Sequence, residues 1–194
     1  MRVLRAADRI ATPWKNGGGF TREVTAFPPG ASLDAFEWRI SLAQIAADGP
    51  FSTFPGVDRV LTVIQGEGLL LTVDDRMLAL DAASPPLAFS GEAKVTARLT
   101  DGAISDLNVM VRRGAWRART RRLTVAGASD VAAKARVTLV LALDSLRVLR
   151  PGGAIDLSPL DAVLLEHGHS HLSLEGRGRT LISEITVDPE DISQ

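Results

Sequence analysis

The sequence predicts an all-β fold of two β-barrel-like halves. Three observations predict it. Apolar and polar residues alternate along most of the chain, Gly, Pro and Asp turns interrupt the alternation at short intervals, and helical periodicity is almost absent. Phe20 to Ala26 alternates as a strand. So does Phe36-Glu37-Trp38-Arg39-Ile40-Ser41-Leu42, which reads as half-buried. Ala43 to Ala47 is expected to form a brief turn before Asp48-Gly49-Pro50. Arg59 to Gln65 and Leu69 to Val73 flank Gly66-Glu67-Gly68, a hairpin signature. Further strands are expected over 86–89, 93–99, 105–112, 117–125, 136–142, 146–150, 161–166, 171–175 and 179–187, with Gly176-Arg177-Gly178 as the last turn. Only Ser129 to Lys134 has the character of a helix start.

Turn chemistry also recurs in order. Aligning Val111 with Val187 and Phe89 with Leu165 matches the turns of residues 68–111 to those of the second half, although residue identity is scarcely kept.

Composition bounds the function. The chain has 194 residues, enough for one substantial core or two small ones. A net charge of −1 provides no overall field toward nucleic acid or anionic membrane. With no cysteine, disulfides, thiolate chemistry and cysteine-ligated zinc are excluded. The N-terminus lacks the apolar run of a signal peptide, and no apolar stretch is long enough for a membrane span, so a cytoplasmic protein is expected. All six phenylalanines lie before residue 90, whereas all three histidines lie in 167–171. The two halves therefore have different jobs.

The stretch Trp14-Lys15-Asn16-Gly17-Gly18-Gly19 resembles a phosphate loop only in its glycines. Its lysine precedes them, and a strand-like segment follows where a phosphate loop needs a helix N-terminus. Trp14, Lys15 and Asn16 instead offer an apolar wall, a cation and an amide, with glycines beside them that would let backbone amides approach a ligand.

These residues carry a family resemblance. Trp14 to Gly19 with Thr21-Arg22-Glu23, then Trp38-Arg39-Ile40-Ser41, then Asp48 to Arg59, then Phe89-Ser90-Gly91 and Asp106-Leu107-Asn108-Val109-Met110 appear in the order found in the HutD/Ves family of bacterial cupin-like proteins. The resemblance spans residues 10–113; beyond 114 only β character is shared. It implies a bicupin, two RmlC-like cupin modules over 1–113 and 114–194 packed as one globular unit, with an N-terminal strand able to swap between them. It also implies an accessory or regulatory part in histidine utilisation through binding of a small anionic metabolite, formylglutamate-like in kind. No established catalytic activity comes with it. A metal-free cupin enzyme, an isomerase or lyase acting on a small carboxylic acid, is the alternative.

Asp106 and Asn108, two apart, share one strand face, with Leu107, Val109 and Val111 on the other; Glu37, Arg39 and Ser41 share another face. Such faces commonly meet solvent, but the resemblance implies that they line a barrel mouth. There Arg39 would clamp a carboxylate in a fork and Lys15 would add a point charge. Asn16 and Asn108 would read a carbonyl or amide, Trp14 would cover an apolar stem, and Asp106 would orient Arg39 or hold a ligand N–H. Phe51 and Phe54 read equally as a loop over that mouth or as core plugs. Asp58 and Arg59 read as a local ion pair, worth little if exposed.

Cupins commonly hold a metal through histidines on two strands. No histidine precedes His167 here, and Gly168 places a turn within His167-Gly168-His169-Ser170-His171, so a solvated hairpin is expected there, and no metal or cofactor. Six arginines between Arg112 and Arg122 surround Trp116. They read as protection of an edge strand rather than a nucleic-acid surface. No membrane partner is expected, and exposed β edges leave a homodimer open.

Overall fold

The computed structural model describes residues 1–166 and 171–188, and they form an all-β protein. The strands are β1 (Arg2–Leu4), β2 (Ala11–Pro13), β3 (Gly19–Phe27), β4 (Trp38–Ile45), β5 (Gly49–Pro50), β6 (Val57–Gln65), β7 (Leu69–Val73), β8 (Arg76–Leu80) and β9 (Leu87–Ser90). They continue with β10 (Val95–Leu99), β11 (Ile104–Arg112), β12 (Trp116–Ala132), β13 (Val137–Ala142), β14 (Leu146–Arg150), β15 (Gly153–Leu157), β16 (Ala162–Glu166) and β17 (His171–Val187). One 3-10 turn, Ala6–Asp8, interrupts them.

The chain divides into two compact units. Of the described residues, one unit comprises Ile10–Ala118 with Asp188, and the other Met1–Arg9 with Arg119–Glu166 and His171–Val187. In the first, a six-stranded sheet of order β2-β3-β4-β11-β6-β9 faces a four-stranded sheet of order β5-β10-β7-β8. Their inner faces meet in one apolar cluster, with Ile45, Leu61, Val63 and Ile104 from the larger sheet and Leu69, Leu71, Val95 and Ala97 from the smaller. Each of these lies on an alternating strand, so one face of every strand is committed to the interior.

In the second unit the sheet runs β1-β16-β13-β17-β14-β15, with β12 also paired to β17. Val125, Val140, Val148, Leu157, Val163 and Ile182 pack together inside it. The N-terminal segment belongs here for a specific reason. β1 pairs with β16, the Arg5 guanidinium donates to Asp161 at 2.8 Å, and the Ala6 N–H donates to the same carboxylate at 2.7 Å.

Three sequence expectations differ from the structure. Ser129 to Ala132 lie in β12 rather than a helix, because β12 continues as a ladder partner of β17. Ala43 to Ile45 remain in β4, paired with Asp106 to Ile104 of β11. Gly176 to Gly178 do not end a strand. β17 runs through them, changing partner from β14 (Leu146 opposite Gly176) to β13 (Ala142 opposite Thr180). Gly176, at φ 135, supplies the bend, and Gly178 passes so close to Asp144 that an added Cβ would lie 2.7 Å from its Cβ.

Gly19 shows how tightly such approaches are set. A Cβ there would lie 2.0 Å from the Gln44 carbonyl oxygen on β4, whereas one on Gly18 would meet only the Asn16 side chain at 3.4 Å. We therefore expect Gly19→Ala to lower stability by about 2 kcal/mol, seen in thermal unfolding as a fall in Tm of about 4–8 °C. Gly18→Ala should leave Tm nearly unchanged.

Candidate functional site

The interior of the first unit is apolar at the cluster just described and polar beside it. β4 contributes Arg39 and Ser41, β6 contributes Arg59, and β11 contributes Asp106, Asn108 and Met110. These positions share a strand face with the core residues Ile45 of β4, Leu61 and Val63 of β6 and Ile104 of β11, so the period that builds the core also aims the polar groups inward. With the turn after β2 they enclose a cavity of about 670 Å³. That is the size of a small-molecule site.

The turn is built by its own backbone. The Trp14 N–H donates to the Gly19 carbonyl at 2.9 Å, and the Gly17 N–H to the Trp14 carbonyl at 3.0 Å. The Gly18 N–H donates to Asn16 Oδ1 at 3.0 Å, and the Trp14 indole N–H to Thr21 Oγ1 at 2.8 Å. The amides of Gly17 and Gly18 are thus used inside the turn and are not ligand donors. Asn16 spends its oxygen on the same turn, which leaves its NH₂ as the group with a free role. Gly19 is small because of Gln44, not because of a ligand.

Trp14, Lys15, Asn16, Arg39, Asp106 and Asn108 all line the cavity. Lys15 and Asn16 are exposed at its rim, whereas Asp106 is 1% exposed and Asn108 is buried. Arg39 is held by Glu23, not Asp106. Its Nε donates to Glu23 Oε2 at 2.9 Å and its Nη1 to Ser41 Oγ at 3.4 Å. A bulge between Glu23 and Thr25 sets this offset of β3 against β4.

Arg59 does not form the expected local pair with Asp58. Asp58 pairs with Arg113 on the surface at 2.8 Å, while Arg59 points inward and is 5% exposed. Its guanidinium lies 5.5, 5.4 and 5.1 Å from the ring centroids of Phe51, Phe54 and Phe89, and donates to the Ser52 carbonyl at 3.1 Å. The signal is present in the sequence, since Arg59 shares one face of its strand with Leu61 and Val63, two inward core positions. Phe51 and Phe54 therefore serve as cavity wall and as packing at once. The Phe51 N–H donates to Val95 and the Phe54 N–H to Gly91, so this wall is tied to its neighbours.

Burial dominates the electrostatics. It pulls the Arg59 guanidinium down to about 10, with Asp106 nearby acting in the opposite sense. It pushes the Asp106 carboxyl up to about 7, opposed by Arg59. No direct ion pair joins the two among the described residues. Asp106 Oδ1, Asn108 Oδ1 and Arg59 Nε are all buried without a hydrogen-bond partner there.

Other sequence candidates are placed elsewhere. The Arg112 guanidinium donates to the carbonyls of Asp34, Phe36 and Pro55, Arg113 bonds Asp58 and Glu92, and Arg117 bonds Asp188. These three arginines hold loops and strand ends together. His167 and His169 lie outside the described residues, and His171 opens β17. Among the described residues no cluster of three metal-ligating side chains occurs, and no helix is long and apolar enough to cross a membrane.

Strands folded around a polar cavity of this kind define a cupin-like protein. The cupin 2 conserved barrel domain protein from Leptotrichia buccalis matches 95% of this chain and 100% of its own at a TM-score of 0.56 and 11% identity, a likeness of fold alone. The chain belongs to the HutD family, whose model matches residues 6–182. It is 39% identical to an uncharacterized 21.2 kDa protein in the hutC 3' region of Pseudomonas putida, covering 95% of this chain and 97% of that protein. It is 36% identical to Protein Ves of Citrobacter koseri, covering 91% and 89%. The solved structure of HutD from Pseudomonas fluorescens SBW25, obtained in a formate condition, matches at 35% identity and a TM-score of 0.83 over 96% of this chain and 98% of that one.

The pKa of Asp106 has a signed consequence. The folded state keeps this proton at pH values where the unfolded chain, with a carboxyl near 3.9, has lost it. The Asp106 contribution to stability is therefore fully present below about pH 4 and is lost as pH rises through about 7. We expect Asp106→Asn to unfold at a higher temperature than the parent at about pH 8, with the gap shrinking as the pH is lowered. Thermal denaturation across that range checks this, and a gap of constant size would contradict it.

Proposed function

We propose that this protein is a bicupin that binds a small anionic metabolite, formylglutamate-like in kind, in the cytoplasm, and acts as an accessory or regulator of histidine utilisation. The observation that carries the binding reading is the charge of the cavity. Three cationic side chains, Lys15, Arg39 and Arg59, line it against one carboxylate, Asp106. Such a cavity favours an anion, and two arginines suit carboxylates through paired N–H donors. Asn16 and Asn108 then meet a carbonyl or amide, and Trp14 covers the carbon stem. The hutC 3' region relative and the HutD name of the solved neighbour support the link to histidine utilisation.

The two-module reading draws support from strand pairing. β7 pairs with β8 and β10 as β14 pairs with β15 and β17; β6 pairs with β9 and β11 as β13 pairs with β16 and β17. On this reading the modules are residues 1–113 and 114–194, apart from the N-terminal strand β1, which crosses to pair with β16.

One observation favours the alternative of a metal-free isomerase or lyase. Asp106 holds its proton near neutral pH in a buried cavity, which is what a general base or acid requires.

Isothermal titration with N-formyl-L-glutamate tests the binding reading. Arg39→Ala and Lys15→Ala should each weaken affinity, with the Arg39 variant losing about tenfold or more. Unchanged affinity in both variants would sink the assignment. Following the same compound by NMR in the presence of protein separates a binder, which leaves it intact, from an enzyme, which converts it.

A further inference from the structure

Glu23 holds a carboxylate against one of the cations of the cavity. Its Oε2 accepts from Arg39 Nε at 2.9 Å, and Arg39 lines the cavity. A negative charge in that place weakens the field that draws an anion in. Stability does not account for the pair, because the Glu23 side chain is 42% exposed and exposed ion pairs contribute little. The ladder sets its position. Glu23 lies opposite Ser41, and Arg39 lies two residues from Ser41 on the same face of β4, so the bond runs diagonally between β3 and β4. Thr21, Arg39 and Ser41 line the cavity, whereas Glu23 does not. Glu23 therefore holds the arginine without occupying the cavity.

We propose that Glu23 is a positioning residue of this cavity, fixing the Arg39 guanidinium through Nε so that a bound anion is met by its Nη1 and Nη2 atoms. This rests on the anion-binding reading above. A guanidinium carries donors on Nε, Nη1 and Nη2. Glu23 takes the donor on Nε, and Ser41 takes one on Nη1 at 3.4 Å. The remaining donors on Nη1 and Nη2 have no partner among the described residues. These two terminal nitrogens present the parallel N–H groups that a carboxylate accepts in pairs. Bonds at Nε and Nη1 together fix the plane of the guanidinium, and the Arg39 side chain is only 14% exposed. A mobile arginine must be ordered when the ligand binds, at the expense of affinity, whereas one ordered beforehand avoids that loss. The charge of Glu23 opposes an anion and the order it imposes favours one. Removing the carboxylate therefore moves affinity in opposite directions according to which effect governs.

The test is a double-mutant cycle with Glu23→Ala, Arg39→Ala and the double variant. It is read by titration calorimetry of N-formyl-L-glutamate into the full chain at constant ionic strength. Glu23→Ala should weaken binding about fivefold or more in the parent, and change it by less than about twofold once Arg39 is replaced. Glu23→Gln, which keeps an acceptor oxygen and removes the charge, should stay within about threefold of the parent. Proton–nitrogen NMR of the ligand-free protein reads the same contact. The Arg39 Nε–H signal should exchange slowly with solvent in the parent and in Glu23→Gln, and be lost in Glu23→Ala. A signal unaffected by Glu23→Ala overturns the positioning role. So does unchanged or tighter binding by Glu23→Ala, since the charge alone then governs, and so does equal weakening with and without Arg39, since the effect then bypasses the arginine. Each of these outcomes leaves anion binding intact. Failure of the parent to bind overturns the anion-binding reading and this inference with it.

Discussion

β11 is hydrogen-bonded on both sides, to β4 from Ile104 opposite Ile45 through Val111 opposite Trp38, and to β6 from Ser105 opposite Gln65 through Arg112 opposite Val57. This double ladder sets which side chains face the interior. Slipping β11 by one residue would turn Leu107 and Val109 into the cavity and drive Asp106 and Asn108 to the opposite face, which is buried as well. The irregularity between Ser105 and Asp106 on the β6 side adjusts the register just before the polar residues begin. Strand pairing, core packing and the placement of the cavity groups are thus one constraint.

The cost of the arrangement lies in Asp106 and Arg59. Each loses solvation, and each is shifted toward its neutral form, as the directions of their pKa changes record. Three aromatic rings compensate the guanidinium, and its bond to Ser52 holds one end of it. Among the described residues no hydrogen bond compensates Asp106 Oδ1, and the charge of Arg59 acts on the carboxyl only through space. An apolar residue of similar volume at this position would avoid that desolvation cost.

Much of the fold was legible in the sequence because period-2 alternation reports which side of a strand is buried. Trp38 to Leu42, the hairpin around Gly66 to Gly68, and the strands near 105–112 and 136–142 follow directly from it. The same alternation places Arg39 with Ser41, and Asp106 with Asn108, on cavity-facing sides. It failed where a local turn signal competed with a ladder. Gly176 and Gly178 look like a turn, but in β17 they are the bend by which one strand serves two partners. Ser129 and Asp130 look like a cap, but β12 continues through them. Sequence adjacency suggests pairing Arg59 with Asp58, but adjacent residues on a strand point to opposite faces, and Asp58 pairs with Arg113 instead.

The sequence by itself determined the β class, the inward and outward sides of the central strands, the absence of thiol chemistry and, through an ordered set of short blocks, the family. Only the tertiary structure decided that the turn after β2, the middle of β4, the start of β6 and β11 close on one cavity, and that Arg59 rather than Arg39 is the cation nearest in effect to Asp106. It also decided that the amides of Gly17 and Gly18 serve the turn. The physical reason is that alternation is a local property of a strand, whereas the partner a side chain meets depends on registers between strands far apart in the chain, and those registers are set by packing the whole core at once.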